Sequence, residues 1–438
     1  MSNLMHTYYY GKAGQGDYTV EQLPTNRRQL FFTTLKVRFS SMIGLNFLHF
    51  LFMLPALIWL YVAVSTAVSY VDIDTAAQLI SQDSVTYQAY TEYKVYADEY
   101  EAITTASDRL ALEKEELEGI KYNITAIENG ETIYVEEAAV VEGGESTKRE
   151  LTLAEAQTQK ADLEVKISED TELLLRLDDE DYMAQLEQNV NDTYALYYSY
   201  IRQELNGNIL TSLIILIPLI MIASISRPGQ AYVLRNWARD EHSFMWQDYK
   251  AAIKSNIGQT LGMGLLNGLS FVITFVAYIT YGSMATTSWI YSVPQAIMVI
   301  LLILWWMMNE IVFFMMVTYK MKFKDLIRNG IIISIARLPV AFLILLGTVA
   351  VPLGLLLLIP YPAISLLILV VLYGTIGFSL TSFVQASYAN SCFDKFLNPR
   401  IEGAEVNKGL HVNDDDDEED EVKQPEQKEE KFWERKTK

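Results

Sequence analysis

Cysteine is all but missing from this 438-residue chain. The single Cys392 excludes an internal disulfide, so any exported region must be held together by packing alone. Histidine is nearly as scarce, with four residues, which argues against a transition-metal site. No Gly-x4-Gly-Lys phosphate loop, His-Glu-x-x-His helix or Gly-x-Ser-x-Gly elbow occurs. The expectation is a protein that is not an enzyme and takes no cofactor. The first residues also lack the charged-then-apolar pattern of a cleavable export signal. The first apolar run begins near Ser41 and is too long for a signal core, so it reads as an anchor.

Charge is missing, too, from long stretches. A helix needs about 20 apolar residues to cross a bilayer, and six runs qualify: Ser41–Tyr70, Ile209–Ser226, Ile257–Tyr281, Trp289–Tyr319, Arg337–Ile359 and Pro362–Ala389. Only helices pair their own backbone groups in lipid, so an all-α polytopic membrane protein follows. Pro55, Pro218, Pro294 and Pro352 would kink spans without preventing them.

The charge that is present is strongly partitioned. Residues 72–208 carry 32 acidic and 10 basic side chains, residues 209–400 carry 6 and 12, and residues 401–438 carry 14 and 7. The total of −20 therefore says little about the membrane part. Basic residues flank alternate ends of the runs: Arg27, Arg28, Lys36 and Arg38; Arg227, Arg235, Arg239, Lys250 and Lys254; Lys320, Lys322, Lys324 and Arg328. The links Gly282–Ser288 and Pro360–Tyr361 carry none. This alternation places both termini in the cytoplasm and residues 72–208 outside. The expected organisation is a cytoplasmic segment 1–40, a first span 41–71 and an extracytoplasmic stalk 72–208. A five-helix membrane domain 209–395 follows, with inner loops 227–256 and 320–336, then a tail 396–438.

Within the stalk, residues 74–119 and 150–205 are rich in Ala, Glu, Leu and Lys without proline. Leu163, Ile167, Leu174 and Leu177, then Leu186, Val190, Tyr194, Tyr197, Ile201 and Leu205, recur at helical spacing. The pattern predicts an antiparallel coiled-coil hairpin, its first helix about 70 Å long. At its tip, Tyr122–Ala126 and Thr132–Glu136 alternate around Asn129-Gly130 and predict a small β-hairpin, separated from the second helix by Gly143-Gly144. Tyr87, Tyr90, Tyr93, Tyr96 and Tyr100, opposite Tyr194, Tyr197, Tyr198 and Tyr200, fit hairpin packing and an interfacial belt better than a glycan-stacking face. The acidic run Asp414–Glu421 lacks calcium-loop spacing and reads as a disordered cytoplasmic tail.

Three stretches resemble the YesL-like family of bacterial membrane proteins. They are Leu45-Asn46-Phe47-Leu48-His49-Phe50-Leu51-Phe52-Met53-Leu54-Pro55, then Arg227-Pro228-Gly229-Gln230-Ala231-Tyr232 through Trp246-Gln247-Asp248-Tyr249, and Phe323-Lys324-Asp325-Leu326-Ile327-Arg328-Asn329-Gly330 up to Leu338-Pro339. Family members lead from the first helix almost directly into the proline-glycine signature, whereas some 170 residues lie between Pro55 and Pro228 here. The resemblance implies a Gram-positive cytoplasmic membrane and an accessory role beside sugar-importing ATP-binding-cassette systems.

Two groups of residues stand out as candidate sites. His49 and Glu310 lie at equal depth, each about 15 Å above its basic inner flank by helical rise. A hydrogen-bonded pair with Asn46 and Asn309 nearby is expected, either joining two helices or handling a proton. Arg235, Trp237, Arg239, Trp246, Tyr249 and Lys250 form a cytoplasmic segment suited to the membrane surface or to docking a protein. Asp240-Glu241-His242 points in three directions on a helix and is not expected to bind metal. The leading expectation is a membrane scaffold or accessory subunit that reaches an extracytoplasmic protein partner through its stalk. A small-solute transporter or channel is the alternative, and a sensor the second. Partners are the bilayer, an ABC-transporter component and a second copy of the chain (a homo-oligomer), with no role for nucleic acid.

Overall fold

The computed structural model describes residues 23–137, 147–358 and 362–410. The acidic run Asp414–Glu421, Gly143-Gly144 and the Pro360–Tyr361 link fall outside them. The chain divides into two compact units, one of Ala63–Ile209 and one of Met1–Val62 with Leu210–Lys438.

Six helices are long and apolar enough to cross a membrane: Arg27–Ser69, Glu180–Ser224, Met245–Ala285, Trp289–Thr318, Leu338–Leu355 and Leu367–Arg400. This is the composition of a multi-pass membrane protein. In chain order the helices are α1 (Arg27–Ser69), α2 (Ile73–Leu79), α3 (Val85–Glu128), α4 (Leu153–Leu177), α5 (Glu180–Ser224) and α6 (Arg227–Trp237). There follow α7 (Met245–Ala285), α8 (Ser292–Thr318), α9 (Phe323–Ala336), α10 (Leu338–Leu358), α11 (Pro362–Leu372) and α12 (Phe378–Phe396).

In the membrane unit, α1 begins well before Ser41. The Asn26 side chain accepts from the Arg28 and Gln29 amides and starts the helix there, and Leu30 and Thr34 are buried. Close approach of α5 and α7 depends on glycine. A Cβ on Gly264 would lie 2.7 Å from the Met221 Cα, and one on Gly268 would lie 2.9 Å from the Ile217 Cα. Small residues four apart let two spans pack backbone to backbone, which is how helices gain contact when lipid is as apolar as leucine. The buried heart of this unit is the C-terminal half of α8, Met307 through Met316. Around it lie Met42, Leu45, Leu234, Phe383 and Phe393. The last span is broken: a π-helical turn, Tyr373–Gly377, joins α11 to α12.

In the second unit, Asp72 caps α2 and Ser84 caps α3. Helix α3 runs on through Tyr122–Ala126, so that stretch is helix, not strand. Asn129-Gly130 ends the helix, with Gly130 at φ +86, as a C-terminal glycine does, and is not a hairpin turn. The sheet instead pairs β1 (Tyr134–Glu137) with β2 (Thr147–Glu150), antiparallel, Val135 opposite Arg149. Helix α4 opens on a capping box in which Thr152 and Glu155 satisfy each other's backbone amides. Arg149 and the Thr152 cap hold the Glu155 carboxyl at about 2, far below the usual range. The expected single helix over 150–205 is two helices. It breaks at Asp178-Asp179, where Asp179 accepts from the Tyr182 amide and starts α5, and α5 then continues unbroken to Ser224.

Burial along α3 falls on Ile103, Ala106, Leu110 and Ile120, and along α4 on Ala156, Leu163 and Asp170, seven residues apart. The contacts run in opposite directions. Arg109 grips Asp170 at 2.8 and 3.0 Å, Glu99 bonds Arg176 at 3.2 Å, and Tyr93 meets Tyr194 at 5.5 Å between ring centroids. Among the tyrosines, Tyr197 is buried, stacks on Tyr93 and donates to the Ile73 carbonyl, while Tyr90 donates to Asp74. Those rings pack the unit; Tyr194 and Tyr198 remain exposed.

Candidate functional site

A buried polar junction joins α1, α6 and the α12 end of the π-helical turn. The wider turn at Tyr373–Gly377 leaves carbonyls without helical partners, which lipid does not tolerate. Asn46 supplies the partner. Its Nδ2 donates to the Tyr373 and Gly374 carbonyls at 2.8 and 2.9 Å, and its Oδ1 accepts from the Ser379 amide at 2.9 Å. One turn along α1, His49 Nδ1 shares a 2.6 Å hydrogen bond with Ser226 Oγ. The same hydroxyl lies 3.0 Å from the Ala223 carbonyl. Gln230 Oε1 accepts from Ser382 Oγ at 3.0 Å, and Ser382 also accepts from Arg227 at 3.1 Å. The Arg227 guanidinium sits 5.2 Å over the Phe313 ring and makes no ion pair among the described residues.

The expected pairing of His49 with Glu310 does not form. Glu310, on α8, is 2 % exposed, and neither carboxylate oxygen has a hydrogen-bond partner. Asn309 belongs to a separate network: it accepts from Asn267 at 2.9 Å, and Asn267 in turn accepts from the Trp305 indole at 2.9 Å. The four residues are thus divided among three places. Equal depth fixes height along a span, whereas neighbours such as 309 and 310 point about 100° apart around it.

The expected inner segment also divides. Trp237 and Tyr249 are each 2 % exposed and belong to the core, so neither lies on a membrane surface. Helix α6 buries Pro228, Gly229, Ala231, Val233 and Leu234. A Cβ at Gly229 would meet the Tyr249 ring at 2.6 Å, so Gly229 is what admits that ring. Arg235 bonds Asn236 and Thr318. Glu241 gathers Arg235 at 3.5 Å, Arg239 at 3.6 Å and Lys408 at 3.2 Å in an ion cluster. Glu405 and Glu241 together raise the Lys408 ammonium above its ordinary range. Arg27 pairs with Asp394 alongside. Of the segment's aromatic residues, Phe244 and Trp246, 64 and 52 % exposed, lie at the surface, with Lys250 lying 4.5 Å over the Trp246 ring.

Sequence reasoning missed Ser226, Gln230, Ser379 and Ser382. The signal for the last two was small polar residues following Gly374 and Gly377 in an otherwise apolar run. Comparison with protein-family models, curated proteins and solved structures finds no match.

Proposed function

We propose that the protein is a non-enzymatic membrane scaffold or accessory subunit whose 72–208 segment lies outside the membrane and contacts a protein partner. The supporting observation is the paired α3 and α4 helices. Buried positions of α4 recur seven apart, at Ala156, Leu163 and Asp170, and the pair carries the Arg109–Asp170 bond. An antiparallel coiled coil, the reading these features support, spaces or presents a contact surface. Polar groups within its seam set register. The YesL-like resemblance and the basic inner flanks support a bacterial cytoplasmic membrane with both termini inside, and a carbohydrate-uptake ABC transporter as the associated system. A glycan-contacting role for the exposed Tyr194 and Tyr198 is the weaker use of the same segment.

The near-absence of cysteine makes the test direct. With Cys392→Ser as background, Glu128→Cys should react with a membrane-impermeant maleimide on intact cells. Deleting residues 72–208 should abolish recovery of a defined partner by crosslinking. A shielded Glu128→Cys, or unchanged recovery after deletion, sinks the reading. The transporter alternative has one observation in its favour: the unpartnered Glu310 carboxyl within a span. Solute flux into vesicles containing this protein alone, lost in Glu310→Gln, would favour it.

A further inference from the structure

A pocket of about 190 Å³ opens between the start of α1 and the loop after α6. Its apolar wall is Leu23, Pro24, Leu30 and Val37. Its charged lining is Arg38 on one side, with Asp240 and Glu241 on the other. Opposite charges sharing so small a space would be expected to pair, yet Arg38 makes no ion pair among the described residues. Its guanidinium lies 5.9 Å over the Trp237 ring. Glu241 is already engaged by Arg235, Arg239 and Lys408, whereas Asp240 is exposed and has no ion-pair partner among the described residues. Trp237 supplies part of the pocket wall, and its indole N–H is buried without an acceptor, an arrangement costly to leave unmatched. Thr34 Oγ1 holds the Trp237 carbonyl at 3.4 Å and so fixes this wall to α1.

A separated cation and anion in one pocket select a ligand carrying the opposite pair. Depth along α1 narrows the class. Phe39, Ile43 and Phe47, immediately past Arg38, are exposed apolar residues on a helix long enough to span, which puts Arg38 at headgroup level. We infer that this pocket binds a phosphoethanolamine group, its phosphate on Arg38 and its ammonium on Asp240, supplied by a phosphatidylethanolamine lipid. A primary ammonium has N–H donors to give a carboxylate; a choline headgroup has none and is bulkier. An anionic glycerol headgroup would satisfy Arg38 and leave Asp240 opposed to a like charge.

The test is lipid retention by the purified full chain, read by native mass spectrometry with phosphatidylethanolamine, phosphatidylcholine and phosphatidylglycerol offered in equal amounts. Phosphatidylethanolamine should be retained about tenfold over either competitor, the ratio that one charge-assisted contact produces. Arg38→Gln should reduce retention of all three lipids about tenfold, since each carries the phosphate. Asp240→Asn keeps a residue that tolerates its left-handed backbone, φ 54, and should lose phosphatidylethanolamine while gaining phosphatidylglycerol. That exchange of preference would not follow from a general loosening of the fold. Equal retention of the three lipids by the unaltered protein overturns the inference without recourse to any variant. Displacement of bound lipid by soluble glycerophosphoethanolamine at matching concentration would overturn the lipid source.

Discussion

The membrane unit and the paired-helix unit bury polar groups for opposite reasons. In the first, Asn46 is buried where a widened helical turn exposes carbonyls that lipid cannot hydrate, and Gln230, Ser379 and Ser382 are buried beside it as one another's partners. In the second, Asp170 is buried in the seam between α3 and α4, where one strong bond to Arg109 sets register in a structure otherwise open to water. Polar burial is a repair in one unit and an alignment device in the other. Apolar burial differs likewise: Met, Phe and Leu crowd around α8, whereas alanine recurs along α3 and α4 at Ala106, Ala126 and Ala156. Water drives association of the second unit, so small side chains suffice there; lipid gives no such drive, so the first relies on close fit.

The sharpest way to break this contrast is Gly264→Leu. Its side chain would have to enter the space held by the Met221 backbone, at a cost of about 3 kcal/mol or more. Thermal unfolding in detergent should show the membrane unit lost while the α3–α4 pair keeps its helical signal; an unchanged midpoint would refute close packing at that site. Next is Arg109→Ala, which strands the Asp170 carboxylate and should destabilise the paired helices by about 2 kcal/mol in chemical unfolding. Replacing both partners by leucine should recover most of that loss while loosening register, visible as mixed crosslinks between α3 and α4. If the double variant stays as unstable as the single one, the alignment role is wrong.

Asn46→Ala should cost about 1 to 2 kcal/mol, and its signature is local. Amide exchange should accelerate around Tyr373–Gly377 and Ser379 and nowhere in residues 63–209. Thr152→Ala removes the α4 cap and should lower the stability of the paired helices by about 1 kcal/mol, with no effect on the membrane unit. The smallest effect is on pH. The Glu155 carboxyl, held at about 2 against an ordinary 4.5, contributes fully above the ordinary value and loses that contribution as pH falls through about 2. Acid titration of wild type against Glu155→Gln should therefore converge near pH 2 and diverge above it. Parallel curves across that window would contradict the capping geometry.

Much of the second unit was legible. Leu163, Ile167, Leu174 and Leu177 mark the seam because spacing by threes and fours puts residues on one face wherever a helix forms. The tip was misread because Asn-Gly serves both a hairpin and a helix end, and the choice rests on whether Tyr122–Ala126 continues a helix already under way. In the membrane unit the runs themselves were plain. The partners of Asn46 and His49 were not, since they come from α6 and α12, which lie some 180 and 330 residues further along the chain.

Composition and periodicity by themselves determined that six helices could cross a membrane and that a charged, repeat-patterned segment falls between the first two. Those properties depend on each stretch's own free energy of transfer and its own backbone pairing. Which polar residues meet, that Glu310 stands without His49, and that Arg38 and Asp240 face one pocket were decided only by tertiary structure. Rotation of one helix about its axis leaves its hydropathy unchanged and alters every contact it makes.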